Sequence, residues 1–88
     1  MEIEWDPGKA DANRTKHRVE FEEAATCLLD SRALVFEDRS AEGEGRWVLV
    51  GLSTKPRLLT VVYTLRSEER IRLISARKAT RKEAKSYA

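Results

Sequence analysis

Cysteine is nearly absent from this 88-residue chain: Cys27 stands alone, so no internal disulfide can form. Histidine is equally scarce, with His17 the single example, and no Cys/His set has the spacing of a structural zinc site. Apolar runs such as LLTVVYTL fall far short of the roughly 20 residues that cross a bilayer, so no membrane span is expected. The opening MEIEWDPGKAD begins acidic and lacks a basic segment followed by an apolar one, which argues against a secretory signal and for a cytoplasmic protein. With no internal repeat, low-complexity tract or linker, residues 1–88 read as a single domain. Gly43, Gly45 and Gly51 match neither a Walker loop nor a dinucleotide turn. The acidic pairs Glu22/Glu23 and Glu68/Glu69 are adjacent in sequence and do not converge on one face, so no metal site is read. So short a chain has a small core without room for a deep cofactor cavity, and no cofactor is expected.

What is present is a charged exterior, 36% of residues, around a 41% hydrophobic complement, the balance of a folded globular domain. EIEW alternates like a short strand. Asp6 then caps a helix opened by Pro7 and running to about Lys16. Phe21, Ala24, Ala25 and Leu28 recur at i, i+3, i+4 and i+7, one apolar stripe on a second helix that leaves Glu22 and Glu23 outward. RALVFED and RWVLVGLS read as strands separated by the loop RSAEGEG, and TKPR is the next turn.

RLLTVVYTLR and RIRLISAR, joined by SEE, read as a hairpin. Setting Arg66 opposite Arg70 places Leu59, Val61, Tyr63, Leu65, Ile71 and Leu73 on one face as the core. The other face then carries Thr60, Val62, Thr64, Arg66, Arg70, Arg72 and Ile74. Three arginines crowd there at a cost in stability that an anionic ligand would relieve. The closing RIRLISARKATRKEAKSYA holds seven Lys or Arg against Glu83, although the whole chain is only +2. Thr80 and Glu83 form a capping box for a short helix from about Arg81, which must dock on the sheet through Ala84 with Tyr87 or Ala88. Arg77 and Lys78 sit at the rim of the arginine face. The fold class is α+β: a mostly antiparallel sheet with the two N-terminal helices on one face, a short C-terminal helix, and the opposite face open.

The strings WDP near the start, KH before FEEA, VVYT and ISARKAT, in this order and spanning essentially the whole chain, resemble the BrnT toxins of bacterial type II toxin-antitoxin systems. The resemblance implies a RelE-like fold and an endoribonuclease that cleaves RNA and inhibits growth. It also implies neutralisation by a BrnA-like ribbon-helix-helix antitoxin, in a hetero-oligomer built on an antitoxin dimer that contacts DNA in place of the toxin. The sequence departs from the family's usual pattern at GEGRW and at Arg18, which stands where the family usually has Gly after the KH pair. Arginine is uncomfortable at positive φ, so this departure bears on where His17 sits.

Metal-independent RNA cleavage needs a base for the 2′-hydroxyl proton, an acid for the leaving 5′-oxygen and cations for the phosphorane. Arg66 and Arg72 are the first candidates for phosphate, with Arg77 next, against a plain reading as exposed strand arginines. His17 is the candidate for proton transfer, against a reading as a helix-terminal histidine favoured by the dipole. Arg70, Lys78, Thr64 and Tyr87 are read as RNA-binding, although Tyr87 equally suits docking of the terminal helix. Tyr63, Trp5 and Trp47 are read as packing residues. The rival to an RNA-cleaving enzyme is a non-catalytic module that grips an antitoxin through the basic face and serves repression. Direct DNA binding by the terminal segment lacks a recognition helix.

Overall fold

The computed structural model describes residues 1–39 and 45–87. In chain order the elements are β1 (Glu2–Glu4), α1 (Pro7–His17), α2 (Phe21–Cys27), β2 (Leu34–Glu37), β3 (Arg46–Leu52), β4 (Leu58–Ser67), β5 (Arg70–Lys78) and α3 (Arg81–Tyr87). The strands form one sheet in the order β1-β5-β4-β3-β2. Neighbours are antiparallel except β1, which runs parallel to β5 and joins the two ends of the chain. Most of the RSAEGEG loop and Ala88 lie outside the described residues.

Helix α1 starts as its sequence dictates, with Asp6 Oδ2 accepting from the Lys9 amide at 3.0 Å and Pro7 in the first turn. It ends at Arg18, whose φ of 58° and ψ of 35° are left-handed, and the Arg18 amide donates to the Arg14 carbonyl. Only Asn13 of this helix is buried. Its side-chain amide donates to the Ala76 carbonyl at 2.9 Å and accepts from the Ala76 amide at 3.0 Å. Asn13 thus stands in for a neighbouring strand on the edge of β5, where β1, paired only as far as Arg72, has ended.

Phe21, Ala24 and Cys27 of α2 are fully buried against Leu59, Val61, Tyr63, Leu73 and Ala76, with Val19 from the connection before the helix. Burying Phe21 contributes on the order of 2–3 kcal/mol. Trp5 meets Phe21 edge-to-face with centroids 5.9 Å apart, so it packs as expected, and Trp47 lies against the same core. Cys27 donates to the Gly51 carbonyl at 3.5 Å, and burial pushes its thiol up to about 11, too high for a neutral-pH nucleophile.

Glu23 does not face outward as the helical stripe implies; it is 5% exposed. Arg57, arriving after the β3–β4 turn, grips it through Nε at 2.7 Å and Nη2 at 2.6 Å, and the Ser53 hydroxyl donates to it at 2.6 Å. The guanidinium holds the Glu23 carboxyl below its ordinary range.

Helix α3 docks on the sheet face opposite α1 and α2. Glu83 accepts from the buried Thr60 hydroxyl at 2.8 Å, and Tyr87 donates to Asp30 at 2.6 Å. That second face is therefore covered at one end, where the sequence reading leaves it open.

Candidate functional site

The hairpin of β4 and β5 keeps the expected pairs Tyr63–Leu73 and Leu65–Ile71, but it contains two irregularities. Between Leu65 and Ser67 the register shifts, so Ser67 rather than Arg66 stands opposite Arg70, and Arg66 is the extra residue of a bulge. A second shift beside Tyr63 brings Ser75 rather than Ile74 opposite Val62, and carries Arg77 opposite Thr60. Leu65, assigned to the core from alternation, is half exposed at the end of the hairpin.

Three transverse rows therefore form the face away from α1 and α2. One contains Arg46, Thr64, Arg72 and Glu4 on β3, β4, β5 and β1. The next contains Phe36, Val48, Val62 and Ser75, and the third, under α3, contains Leu34, Val50, Thr60 and Arg77.

The arginines of this face do not simply repel one another, because β1 and α3 supply carboxylates. Arg72 donates through Nε to Glu4 at 2.8 Å. Arg70 reaches Glu2 through Nε at 3.2 Å and Nη2 at 3.0 Å, and its Nε lies 3.4 Å from Glu4. Arg77 closes a two-pronged pair with Glu83, Nη1 to Oε1 at 2.8 Å and Nη2 to Oε2 at 3.0 Å. The Arg77 guanidinium is the main cause that holds the Glu83 carboxyl down to about 2, helped by the Thr80 amide and the Thr60 hydroxyl. The side chains of Arg46 and Arg66 have no ion pair or hydrogen bond with a described residue.

These pairs leave the arginines with different free edges. Arg72 is fixed by Nε while its terminal nitrogens stay available, and 42% of its side chain is exposed. Arg77 has both terminal nitrogens occupied. A guanidinium oriented through one edge with its fork open is arranged to take an oxyanion in two-pronged fashion.

His17 lies at the end of α1 in a shallow groove of about 210 Å³, lined by Lys9, Ala12, Asn13, Lys16, Ile74 and Ser75. Asn13, one turn before it, fixes the helix to β5. His17 is thus brought to the strand edge beside Ser75, which lies along β5 between Arg72 and Arg77. Thr64 joins the Arg72 row, but other candidates are dispersed. Arg66 and Arg70 lie toward the hairpin end, Lys78 pairs with core-facing Leu59, and the Tyr87 hydroxyl is engaged by Asp30.

Sequence reasoning missed Arg46, Glu4, Glu83 and Asn13 as parts of this surface. Arg46 was legible as the first residue of a strand, but its row depends on the β3–β4 register. The carboxylate partners come from opposite ends of the chain, where no local pattern links them to the hairpin.

Among the described residues no group of three or more His, Cys, Asp or Glu side chains is placed to hold a metal ion. None of their helices is long and apolar enough to cross a membrane.

Comparison with known proteins bears on this surface. The family model described as the ribonuclease toxin BrnT of type II toxin-antitoxin systems matches residues 5–83. The 1.1 Å crystal structure of the Brucella abortus ribonuclease toxin BrnT is similar, with a TM-score of 0.71 at 25% sequence identity, covering 92% of this chain and 99% of that one. No curated protein matches the chain. The family match extends from Trp5 to Glu83 and takes in the two N-terminal helices, every strand from β2 to β5 and the start of α3, so the chain belongs to the BrnT family of ribonuclease toxins of type II toxin-antitoxin systems.

Proposed function

We propose that this protein is a metal-independent, cytoplasmic endoribonuclease with a RelE-like fold, and that its RNA path crosses the row of Arg46, Thr64 and Arg72 toward His17. The observation that carries this reading is the posture of Arg72, anchored through Nε on Glu4 with its fork free. In the proposed reaction the 2′-oxygen attacks the adjacent phosphorus while His17 takes its proton. The P–O5′ bond then breaks to leave a 2′,3′-cyclic phosphate and a 5′-hydroxyl, the departing oxygen being protonated from solvent on this open face. Arg72 neutralises charge on the phosphorane, a role that needs no metal ion.

Arg66 and Arg70 extend the cationic surface toward the hairpin end, and Arg77 serves a further phosphate when Glu83 yields. Lys78 and Tyr87 are left out of this path, since one pairs with Leu59 at the far end of β5 and the other is spent on Asp30. The antitoxin is proposed to be BrnA-like, with a ribbon-helix-helix domain that holds the DNA.

The test is incubation of the purified protein with RNA in the presence of a chelator, with and without ribosomes. Cleavage products ending in cyclic phosphate are expected, and Arg72→Ala should reduce the rate by about 100-fold, the size of losing one oxyanion donor. RNA left intact under every condition would overturn the proposal in favour of a non-catalytic antitoxin-binding module.

A further inference from the structure

The two edges of the sheet are built differently. At one edge β1 is three residues long and its carboxylates are tied to Arg70 and Arg72. Short, charged edges of this kind resist pairing with other chains. At the other edge β2 presents Leu34, Val35 and Phe36 in succession, with Val35 48% and Phe36 50% exposed, and among the described residues no strand pairs with its outer side. β2 is also short, four residues, and ends on Glu37. Among the described residues, however, neither charge nor proline interrupts Leu34 to Phe36 and no ion pair ties that run down, so this edge is less guarded than that of β1.

The backbone hydrogen bonds of β2 are assigned by the ladder. Asp38 donates through its amide to the Arg46 carbonyl at 2.9 Å. Since bonded and non-bonded pairs alternate in an antiparallel ladder, Phe36 and Leu34 turn their amides and carbonyls toward β3, while Val35 and Glu37 turn theirs outward. Beside this edge lies a groove of about 330 Å³ between the sheet and α3, lined by Leu34, Phe36, Val50, Thr80, Lys82, Glu83 and Ser86. Its floor is apolar. Its α3 wall is cationic outward, because Arg81, Lys82 and Lys85 are exposed while Glu83, the helix's acid, turns inward to Arg77.

We propose that β2 is the docking edge for the antitoxin, which adds an extended segment to the sheet by pairing with the Val35 and Glu37 backbone. Alternate apolar side chains of that segment enter the groove at Phe36, and acidic residues of the segment meet Lys82 and its neighbours on α3. This inference rests on the chain's membership of a toxin-antitoxin family and not on the cleavage chemistry. Backbone pairing provides affinity, pockets for alternate side chains provide specificity, and the exposed cations of α3 complement acidic residues of the segment. The apolar floor and the unpaired strand edge, not the charge, favour an extended peptide over RNA here. The row beneath the groove runs from Leu34 through Val50 and Thr60 to Arg77, so an occupant there lies beside the proposed RNA path.

The test uses the full chain and its purified antitoxin. Phe36→Asp should weaken the complex by about 30-fold, as expected for loss of a buried aromatic anchor. Lys82→Glu should weaken it by about 5-fold, in keeping with a charge at the rim. Val35→Pro removes one outward amide at an edge position where proline is tolerated, and should also weaken binding. Cleavage of RNA by the free Phe36→Asp protein should match wild type, which separates this inference from the catalytic reading. In the wild-type complex the Val35 and Glu37 amides should gain protection from hydrogen exchange, a readout that does not depend on any variant folding. Unchanged exchange at both amides, or wild-type affinity in the Phe36→Asp and Val35→Pro proteins, would overturn the proposal. So would a free toxin that is a dimer dissolved by Phe36→Asp, which would assign the edge to a second copy of this chain.

Discussion

Arg18 occupies a backbone conformation that suits glycine. Its φ of 58° closes α1 with an amide bond to Arg14, and it is the only non-glycine residue with positive φ among those described. An L-residue pays about 1 kcal/mol or more for this region, because Cβ approaches the carbonyl that follows it. Arg18→Gly removes that strain but adds backbone freedom to the unfolded chain, which offsets part of the gain. The expected result is a net stabilisation of about 0.5–1 kcal/mol, measured by urea denaturation; a destabilised variant would show that the Arg18 side chain contributes more than its backbone costs. The His17 groove should survive, because α1 is held on β5 by Asn13 and not by the residue that ends it. The departure from glycine was legible in the sequence from family pattern and steric principle together. The burial of Glu23 was not, because its partner Arg57 lies 34 residues away and on a turn.

Helix α3 shows how far an element can depend on polar contacts. The capping box is formed as the sequence implies, with Thr80 Oγ1 accepting from the Glu83 amide at 3.1 Å and Glu83 accepting from the Thr80 amide at 2.8 Å. None of its residues is fully buried, so Glu83 and Tyr87 carry the attachment. Because the folded Glu83 carboxyl is depressed from an ordinary 4.5 to about 2, its stabilising contribution is present above about 4.5 and is lost as the pH falls toward 2. Screening of the partly exposed Arg77 limits that contribution to on the order of 1–2 kcal/mol. Protection factors of α3 amides should therefore fall across this interval while those of β4 and β5 hold. In Glu83→Gln they should start lower at neutral pH and change little; a wild-type pH response in that variant would remove the carboxylate from the account. The elements themselves follow the periodicities of the sequence closely. Their relations do not, since a bulge adds one residue to a strand without changing its alternation or composition. The two register shifts and the parallel β1 therefore appear only when distant segments are set side by side.

For the molecule as a whole, 17 Lys and Arg against 15 Asp and Glu leave a net charge of only +2. Such a balance produces little long-range attraction for a polyanion, so RNA affinity must come from local cations that are free to meet phosphate. The ion pairs sort them. Among the described residues, Arg77 has both terminal nitrogens and Arg70 has Nε and Nη2 committed to carboxylates, while the side chains of Arg46 and Arg66 and the fork of Arg72 are open. An arginine whose terminal nitrogens are already held by a carboxylate must break that pair before it meets a phosphate and displaces a counterion from RNA. It therefore adds less to the salt dependence than its formal charge implies. Arg72, in contrast, is paired with Glu4 through Nε alone and meets phosphate with that pair intact. Three open cations give a slope of about −2 for the logarithm of the RNA association constant against the logarithm of salt concentration, from about −0.7 per phosphate contact on a single strand. Arg72→Ala and Arg46→Ala should each flatten the slope by about 0.7, and Arg70→Ala should leave it nearly unchanged. Titration of a fluorescent single-stranded RNA across 50–200 mM salt, under conditions that prevent cleavage, measures these slopes. Equal effects from all three substitutions would mean that RNA reads the formal charge of the sheet face and that the pairing with β1 carries no discrimination.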